Sequence, residues 1–398
     1  MYNVKLYDYV PKPQPVKSDY IIGVHYYPAW KMGAAGLHKG FDQFLDYPER
    51  LPLLGRYDEE NPEVIDWEIK WAVEHGINCF IYCWYRKKEN QGKKITVDDL
   101  RLGHGIHEGL FNAKYKNMIK FAIMFEAQER WSNTDLKDFE ENLLPFWFEE
   151  YFTKENYLII DNKPIVYVYD YQNCVRDGFG GPEIQAEAFK KAQEYAKKFG
   201  FDGIEFQVEY RYTDLTRYEE YKKGGYDRTF SYCWNMESLR PSQEEIIETQ
   251  IKIMEDRAKE DPNYFIPLAS KQWDPRPRMD IMPELYGTPE TSSIWNLTPE
   301  SWRVLLEKIK VLMDKLPKNT QASKVLILDN WNEWDEGHYL SPHYEGGFKY
   351  LQAVREVFTK RDNLPDYRTP EFLGLGPYHK KWGDADYSKY CVGKKLED

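Results

Sequence analysis

The sequence lacks a long apolar run, a phosphate-binding loop and an excess of positive charge. No stretch approaches the roughly 20 apolar residues of a transmembrane helix, so we expect no membrane span. Neither a G-x-G-x-x-G string nor a Walker-type loop occurs, which leaves dinucleotide and triphosphate chemistry without support. The formal net charge is −12 over 398 residues. Such a surface repels phosphate backbones, and we expect no nucleic-acid partner.

Cysteine is scarce as well, with five residues and no paired spacing. Cys79 and Cys83 fall inside one predicted buried strand, where packing explains them better than a disulfide. Residues 1–18 carry lysines among prolines and no apolar stretch, so they do not resemble a secretory signal. A cytoplasmic location is therefore slightly favoured, whereas a periplasmic or secreted one requires a signal removed ahead of residue 1.

Aromatic residues are abundant, with 13 Trp, 32 Tyr and 20 Phe making up 16% of the chain. The flat C–H face of a sugar packs well on such rings, while polar groups around the ring bind the hydroxyls. The rings also serve to fill a large core and cover its edges. The composition permits sugar binding without demonstrating it.

Apolar runs typical of strands alternate with helical patterns along the whole chain. Parallel strands need crossover connections, and eight such units favour an α/β fold of the (β/α)8 TIM-barrel type over an open doubly wound sheet. We predict one catalytic domain over residues 1–398, with a long first loop over 28–60 and a tail over 362–398 that wraps the barrel. The predicted strands cover residues 20–26, 78–84, 120–126, 164–170, 202–208, 227–233, 264–269 and 324–330.

Active sites of such barrels lie at the C-terminal ends of the strands, and this rule selects the candidate substrate-binding residues. We expect Trp30, Trp84 and Trp273 to line a cleft. Asp274 should bond a substrate hydroxyl or a catalytic carboxylate, and Arg278 should pair with acidic residues. The candidates for substrate binding are Tyr26, Tyr27, Trp30, Trp84, Tyr85, Glu126, Glu129, Trp234, Trp273, Asp274, Trp331, Asn332 and Trp334.

Two carboxylates follow the last predicted strand, Glu333 and Glu336. Cleavage of a glycosidic bond needs one carboxylic acid and one carboxylate, and residues three apart across a turn bring their side chains close enough to flank one bond. Two nearby like charges also push their pKa values apart. The alternative is that E-x-x-E begins the last helix and favours its N-terminal dipole. The histidine pairs His104/His107 and His338/His343 lack the remaining ligands of a zinc site, so we expect no metal or other cofactor.

The string WNEWDEG at 331–337 resembles the signature of glycoside hydrolase family 99 and of the related WbsX-type polysaccharide-biosynthesis proteins. Segments beginning at Tyr57, Ala127, Ile160 and Gln272 are similar to the WbsX-like group. The resemblance implies a retaining α-glycoside hydrolase, an endo-α-1,2-mannosidase in the best-described members, that works through a 1,2-anhydro sugar. It implies that Glu333 is the base and Glu336 the general acid, and we expect a raised pKa for Glu336.

Three functions remain open on the sequence. The first is a glycoside hydrolase acting on an oligosaccharide or polysaccharide, for which the family resemblance implies the mannose type. The second is a WbsX-type glycosyltransferase, which needs a phosphate-bearing donor site and for which only the GFGGP loop at 178–182 is available. The third is a non-catalytic sugar-binding barrel. Fold analogy alone does not choose among them.

Overall fold

A computed structural model describes residues 7–31, 40–128, 133–170 and 172–378 of the protein. Thirteen strands lie in these ranges, and eight of them form the barrel. The strands are β1 Ile21–Tyr26, β2 Cys79–Trp84, β3 Lys120–Glu126, β4 Ile159–Ile160, β5 Lys163–Tyr169, β6 Glu205–Glu209, β7 Arg228–Phe230, β8 Leu268–Ala269, β9 Gln272–Trp273, β10 Trp295–Asn296, β11 Val325–Asn330, β12 Asn332–Glu333 and β13 His338–Tyr339.

The eight barrel strands are all parallel and nearly close on themselves. Their order is β7-β6-β5-β3-β2-β1-β11-β8. The first and last barrel strands along the chain, β1 and β11, pair directly, with Ile21 opposite Val325. A single parallel bridge between Thr229 and Phe265 spans the remaining seam. The predicted TIM-barrel fold is confirmed.

Helices cover the outside of the barrel, and their starts follow the usual capping chemistry. The Asn61 side chain accepts a hydrogen bond from the backbone N–H of Glu63, Ser242 caps α7, and Thr298 caps α10. Between residues 136 and 152, α2 and α3 continue through two π-helical turns. The helices are α1 Pro62–Glu74, α2 Leu136–Asp138, α3 Leu144–Trp147, α4 Cys174–Phe179, α5 Pro182–Lys197, α6 Tyr218–Lys223, α7 Gln243–Glu260, α8 Arg276–Met279, α9 Pro283–Tyr286, α10 Pro299–Lys315, α11 Lys349–Phe358 and α12 Pro370–Leu373.

The strands alternate between side chains that point into the barrel and side chains that point to the helices. On β2, Cys83 points inward to the Tyr232 hydroxyl, whereas its neighbour Trp84 packs outward on Trp147. The described part of the C-terminal tail runs along α1, where the Tyr378 hydroxyl donates to Glu63. Among the described residues no helix is both long and apolar enough to cross a membrane.

Candidate active site

The two candidate catalytic carboxylates lie in a β-hairpin directly after the last barrel strand. Glu333 ends β12 and pairs in register with His338 on β13, and Glu336 lies in the turn between them. Gly337 has a φ of +69°, and a Cβ there would lie 2.3 Å from the carbonyl oxygen of Asp274, so the turn needs glycine. Because α11 begins only at Lys349, the interpretation of E-x-x-E as a helix start is wrong.

Arg278 on α8 holds the acidic hairpin together. Its guanidinium lies 3.0 Å from the Glu333 carboxylate and 3.0 Å from that of Asp335, and it also pairs directly with Glu336. All four side chains are largely buried. Buried charges of one sign are tolerated only with such a partner. The prediction that Arg278 pairs with acidic residues is confirmed, and those residues include both candidate catalytic carboxylates.

His338 supplies a second cation beside the pair. One ring nitrogen lies 2.6 Å from Asp329, at the end of β11, and the other lies 2.9 Å from Glu336. Burial lowers the pKa of His338, but Asp329 and Glu336 outweigh burial and raise it to about 10. His338 is therefore an imidazolium at neutral pH, oriented by one carboxylate toward another.

The remaining partners of the two carboxylates are neutral donors. The Tyr232 hydroxyl and the Asn330 amide, at 3.0 Å, both donate to Glu333. On the other side, the Tyr286 hydroxyl on α9 donates to Glu336 at 2.6 Å. Glu336 thus contacts both cations directly and a hydroxyl, whereas Glu333 shares Arg278, lies 3.6 Å from His338 and accepts hydrogen bonds from two uncharged groups.

These surroundings push the two pKa values apart. Burial and the neighbouring Glu336 raise the pKa of Glu333 above its ordinary range. Burial would also raise the pKa of Glu336, but Arg278 and His338 outweigh it and lower that pKa. The expected raised pKa for Glu336 is wrong, because both cations contact Glu336 more closely than they contact Glu333.

Four further candidates surround this centre. Arg278 lies 5.8 Å over the ring of Tyr27, and the half-buried Trp273 ring stands edge-on to His338 at 5.1 Å. Glu126, at the end of β3, has its pKa raised by burial and by Glu333, so it faces the same space. Tyr85 is half-buried next to Glu126. Substrate binding by these four stays a prediction.

Several aromatic candidates point away from the mouth, and for these the prediction is wrong. Tyr26 and Trp84 lie on the strand face that meets the helical layer, Trp234 and Trp331 follow the ends of β7 and β11, and all four are essentially inaccessible to solvent. Tyr26 donates to Glu68 of α1, Trp84 donates to the Tyr151 hydroxyl, Trp234 donates to the Leu268 carbonyl, and Trp331 packs on Phe80.

The other candidates near the hairpin support it rather than line a cleft. Trp30 is fully buried and donates to the Asn332 carbonyl at 2.8 Å, so its predicted place in a cleft wall is wrong. Asn332 accepts from the Tyr27 backbone, and Trp334 donates to the Tyr57 hydroxyl, so neither buried side chain reaches the mouth.

Asp274 and Glu129 complete the set of predicted site residues. The Asp274 carboxylate binds Arg276 and Arg50, each at 2.6 Å, and meets Glu336 only through its backbone N–H. The predicted bond from its carboxylate to a catalytic carboxylate is wrong, because two arginines hold it. Glu129 lies outside the described residues.

Sequence reasoning missed Tyr232, Tyr286 and Asn330, and it considered His338 only as a metal ligand. Asn330 and Tyr232 each lie at or just beyond the end of a barrel strand. The rule that places active sites at the C-terminal ends of the strands could therefore have identified both. Tyr286 ends the short helix α9, and the sequence there gives no sign of its proximity to Glu336.

Two groups of side chains within the described ranges have the geometry of metal ligands. In the first, Glu333, Glu336 and His338 place one ligand atom each within 4.8 Å of one another. The Arg278 guanidinium already compensates the negative charge of this group, which disfavours a metal cation there. The second group, formed by Asp58, Glu59 and His104, has the same spacing.

The fold and this site define the class: a TIM barrel with an acidic pair at the C-terminal end of its last strand, as in many carbohydrate-active enzymes. The family model described as glycosyltransferase WbsX matches residues 122–354, which is more than half of the chain. The chain belongs to this family, as its sequence motifs indicated, and family and fold together support a glycan-processing enzyme.

Similar proteins are distant in sequence. A WxcX protein of Xanthomonas campestris pv. campestris (strain B100), described as uncharacterized, is 22% identical over 349 residues, and the match covers 80% of this chain and 44% of that protein. The chain thus spans less than half the length of the curated relatives it matches.

Two solved structures share the fold. A glycoside hydrolase-like protein has a TM-score of 0.60 at 14% identity, with 89% of this chain and 98% of that one covered. The family 99 endo-α-mannosidase of Bacteroides thetaiotaomicron has a TM-score of 0.54 at 14% identity, with 92% and 97% covered.

Proposed function

We propose that this protein is a glycoside hydrolase that cleaves an α-linked glycan with retention, using Glu333 and Glu336 as its acid–base pair. The observation that carries the proposal is that two buried carboxyl groups lie side by side in surroundings that push their pKa values apart. Glycosidic cleavage needs one carboxylic acid and one carboxylate, and retaining enzymes hold the two carboxyl groups about 5–5.5 Å apart. The oxygens of this pair lie within 4.8 Å, which favours retention over inversion.

The environment of each carboxylate suggests its role. Glu333 keeps its proton at neutral pH and so can donate it to the leaving oxygen. Glu336 stays ionised beside Arg278 and His338 and so can accept a proton from the sugar's 2-hydroxyl, which then closes a 1,2-anhydro ring. Water opens that ring in a second step with the two roles exchanged. This assignment is the reverse of the one that the family resemblance implies.

The charges around the pair favour an uncharged sugar at the cleavage point. Asp335 and Glu336 already neutralise Arg278, and Glu333 accepts a further hydrogen bond from it. An arginine bound by three carboxyl groups offers a diphosphate or a uronate little positive potential. This argues for hydrolysis of a neutral glycan over use of a nucleotide-activated donor.

The second candidate function is a glycosyltransferase, and the description of the matching family model favours it. The two functions differ in what they require. A hydrolase releases reducing sugar from a glycan with water as acceptor, whereas a transferase is inactive until an activated donor is supplied.

The roles are tested with Glu333→Gln and Glu336→Gln on two substrates, a natural oligosaccharide and an aryl glycoside with a good leaving group. We expect each variant to lose about 10²–10⁴-fold in kcat/KM on the oligosaccharide. Glu333→Gln should recover most of that loss on the aryl glycoside, because a good leaving group departs without protonation. Glu336→Gln should recover none of it.

The matched control is Glu345→Gln, which removes an exposed carboxylate nine residues after Glu336 and should leave kcat/KM unchanged. Recovery by Glu336→Gln instead of Glu333→Gln would reverse the roles and support the assignment implied by the resemblance. Near-normal hydrolysis by both variants would refute the pair altogether.

A further inference from the structure

A second cluster of potential ligands lies apart from the catalytic hairpin, where the first long loop meets α1. Asp58 and Glu59 come just before that helix, and His104 directly precedes the π-helical turn Gly105–Gly109. One ligand atom from each of the three lies within 4.8 Å of the others. Sequence reasoning weighed His104 only with His107, but His107 contacts the Tyr151 hydroxyl instead.

Two polar atoms in this cluster are buried and unsatisfied. Glu59 is fully inaccessible, and while its Oε1 accepts from the Trp30 backbone, its Oε2 has no hydrogen-bond partner among the described residues. The His104 side chain is 9% exposed, and its Nε2, 3.8 Å from that same oxygen, has no partner there either. An unsatisfied buried polar group is costly, and an ionised one more so. Both atoms therefore point to a ligand between them.

The backbone around the cluster is fitted closely to it. A Cβ at Gly109 would lie 2.1 Å from the backbone oxygen of Glu59, and one at Gly105 would lie 2.6 Å from Pro28. The two glycines allow the turn to lie directly against the Glu59 segment, which fixes the position of His104. The ligand set is thus held by two separate parts of the chain.

We propose that Asp58, Glu59 and His104 bind a divalent transition-metal ion of the Zn²⁺ or Mn²⁺ type. An imidazole with two carboxylates suits these ions better than Mg²⁺ or Ca²⁺, which prefer oxygen ligands alone. Ligands about 2.1 Å from an ion lie roughly 3.0–3.4 Å apart. The present separation of 3.8 Å between Glu59 and His104 therefore needs only a small contraction. Three protein ligands leave further positions for water.

The charge balance agrees with a cation at this point. Lys31 pairs with the neighbouring Glu60, while the Oε2 of Glu59 faces the His104 imidazole at 3.8 Å. An ion would neutralise Glu59 and cross-link the first loop to the 105–109 turn. It would also fix Trp30, whose backbone N–H binds Glu59 and whose indole supports the catalytic hairpin. The ion is structural in this proposal and takes no part in the glycosidic reaction.

The test is direct binding of Zn²⁺ and of Mn²⁺ to the full chain, after removal of bound metal with a chelator. We expect one ion per chain by calorimetry and by metal analysis after dialysis, together with a higher Tm. Glu59→Gln and His104→Gln should each weaken binding at least about tenfold. The matched control Glu60→Gln removes a neighbouring carboxylate outside the cluster and should bind as the parent does. Circular dichroism checks that each variant is folded, and Asp58→Asn replaces any variant that is not.

Two results would overturn the proposal. The first is the absence of binding by the parent chain at millimolar metal. The second is binding that survives both Glu59→Gln and His104→Gln but is lost in His338→Gln, which would place the ion at the catalytic hairpin. Because the readout is binding, failure of this site leaves the hydrolase proposal untouched.

Discussion

Replacing Arg278 by Met removes the cation that Glu333, Asp335 and Glu336 share while keeping a side chain of similar length. At a charge separation of about 4 Å and an effective dielectric near 20, the ion pairs with Asp335 and Glu336 each gain roughly 4 kcal/mol before desolvation, whereas Glu333, whose pKa is raised, adds a hydrogen bond. Desolvation cancels much of this, and removal of one partner from a buried ion pair costs about 3–5 kcal/mol net. We expect that loss in the free energy of unfolding at pH 7, measured by urea denaturation with an unchanged m-value.

The pH dependence of this loss provides an internal check. In the parent protein the lowered pKa of Glu336 contributes stability that is present above its ordinary value of 4.5 and is lost as pH falls through the lowered one. The variant lacks that contribution, so the difference between the two proteins should shrink below pH 4.5. Arg276→Met is the control, because Arg276 is 42% exposed and binds Asp274, and it should cost about 1 kcal/mol or less. An Arg278→Met loss no larger than the control's, or one that grows toward acid, would refute the reasoning.

Two further predictions concern the hairpin itself. Gly337→Ala should lower the free energy of unfolding by about 1–3 kcal/mol and reduce kcat, because the new Cβ meets the Asp274 carbonyl. The control is Gly92→Ala, at a φ of +77° with open space around it, which should lower the free energy of unfolding by less. Equal losses in the two variants would contradict the steric argument. For His338→Gln, the pKa of about 10 against an ordinary 6.5 means that the histidine's stabilisation is complete below pH 6.5 and is lost as pH rises through 10. Urea denaturation from pH 6 to 10 should therefore show a stability difference that narrows with rising pH, and a constant difference would contradict it.

Much of the fold was predictable because strand and helix periods are local properties of the sequence. Five of the eight predicted barrel strands are observed at nearly their predicted lengths, and the fifth along the chain is Glu205–Glu209 against a predicted run of 202–208. The sixth and seventh are shorter, Arg228–Phe230 and Leu268–Ala269 against predicted runs of 227–233 and 264–269. An apolar run shows that a segment is buried, whereas a strand also requires a continuous hydrogen-bond ladder. At this seam the ladder is reduced to the bridge between Thr229 and Phe265.

The candidate catalytic pair was predictable from position, but its electrostatics were not. The rule that places sites at strand ends identifies Glu333 and Glu336 without any coordinates. Their protonation depends on Arg278 and Tyr286, which lie on the short helices α8 and α9 that follow β9. Spacing along the chain shows that two carboxylates repel each other. It does not show which one the neighbouring cations contact more closely, and that contact decides which one keeps the proton.

The aromatic candidates that point at the helices were mispredicted for a reason that applies to any barrel whose strands are buried on both faces. Consecutive residues of a strand point to opposite faces, so only every second residue near its C-terminal end can face the mouth. In a half-exposed strand, alternating polarity would reveal which residues those are, but β2 and β11 are buried at every position and carry no such signal. Trp84 and Trp331 therefore satisfied the positional rule while pointing at the helices. A buried acidic residue is different, because the helical layer rarely accepts an unpaired carboxylate. Strand-end carboxylates such as Glu126 and Glu333 are for that reason better guides to a barrel's mouth than strand-end tryptophans.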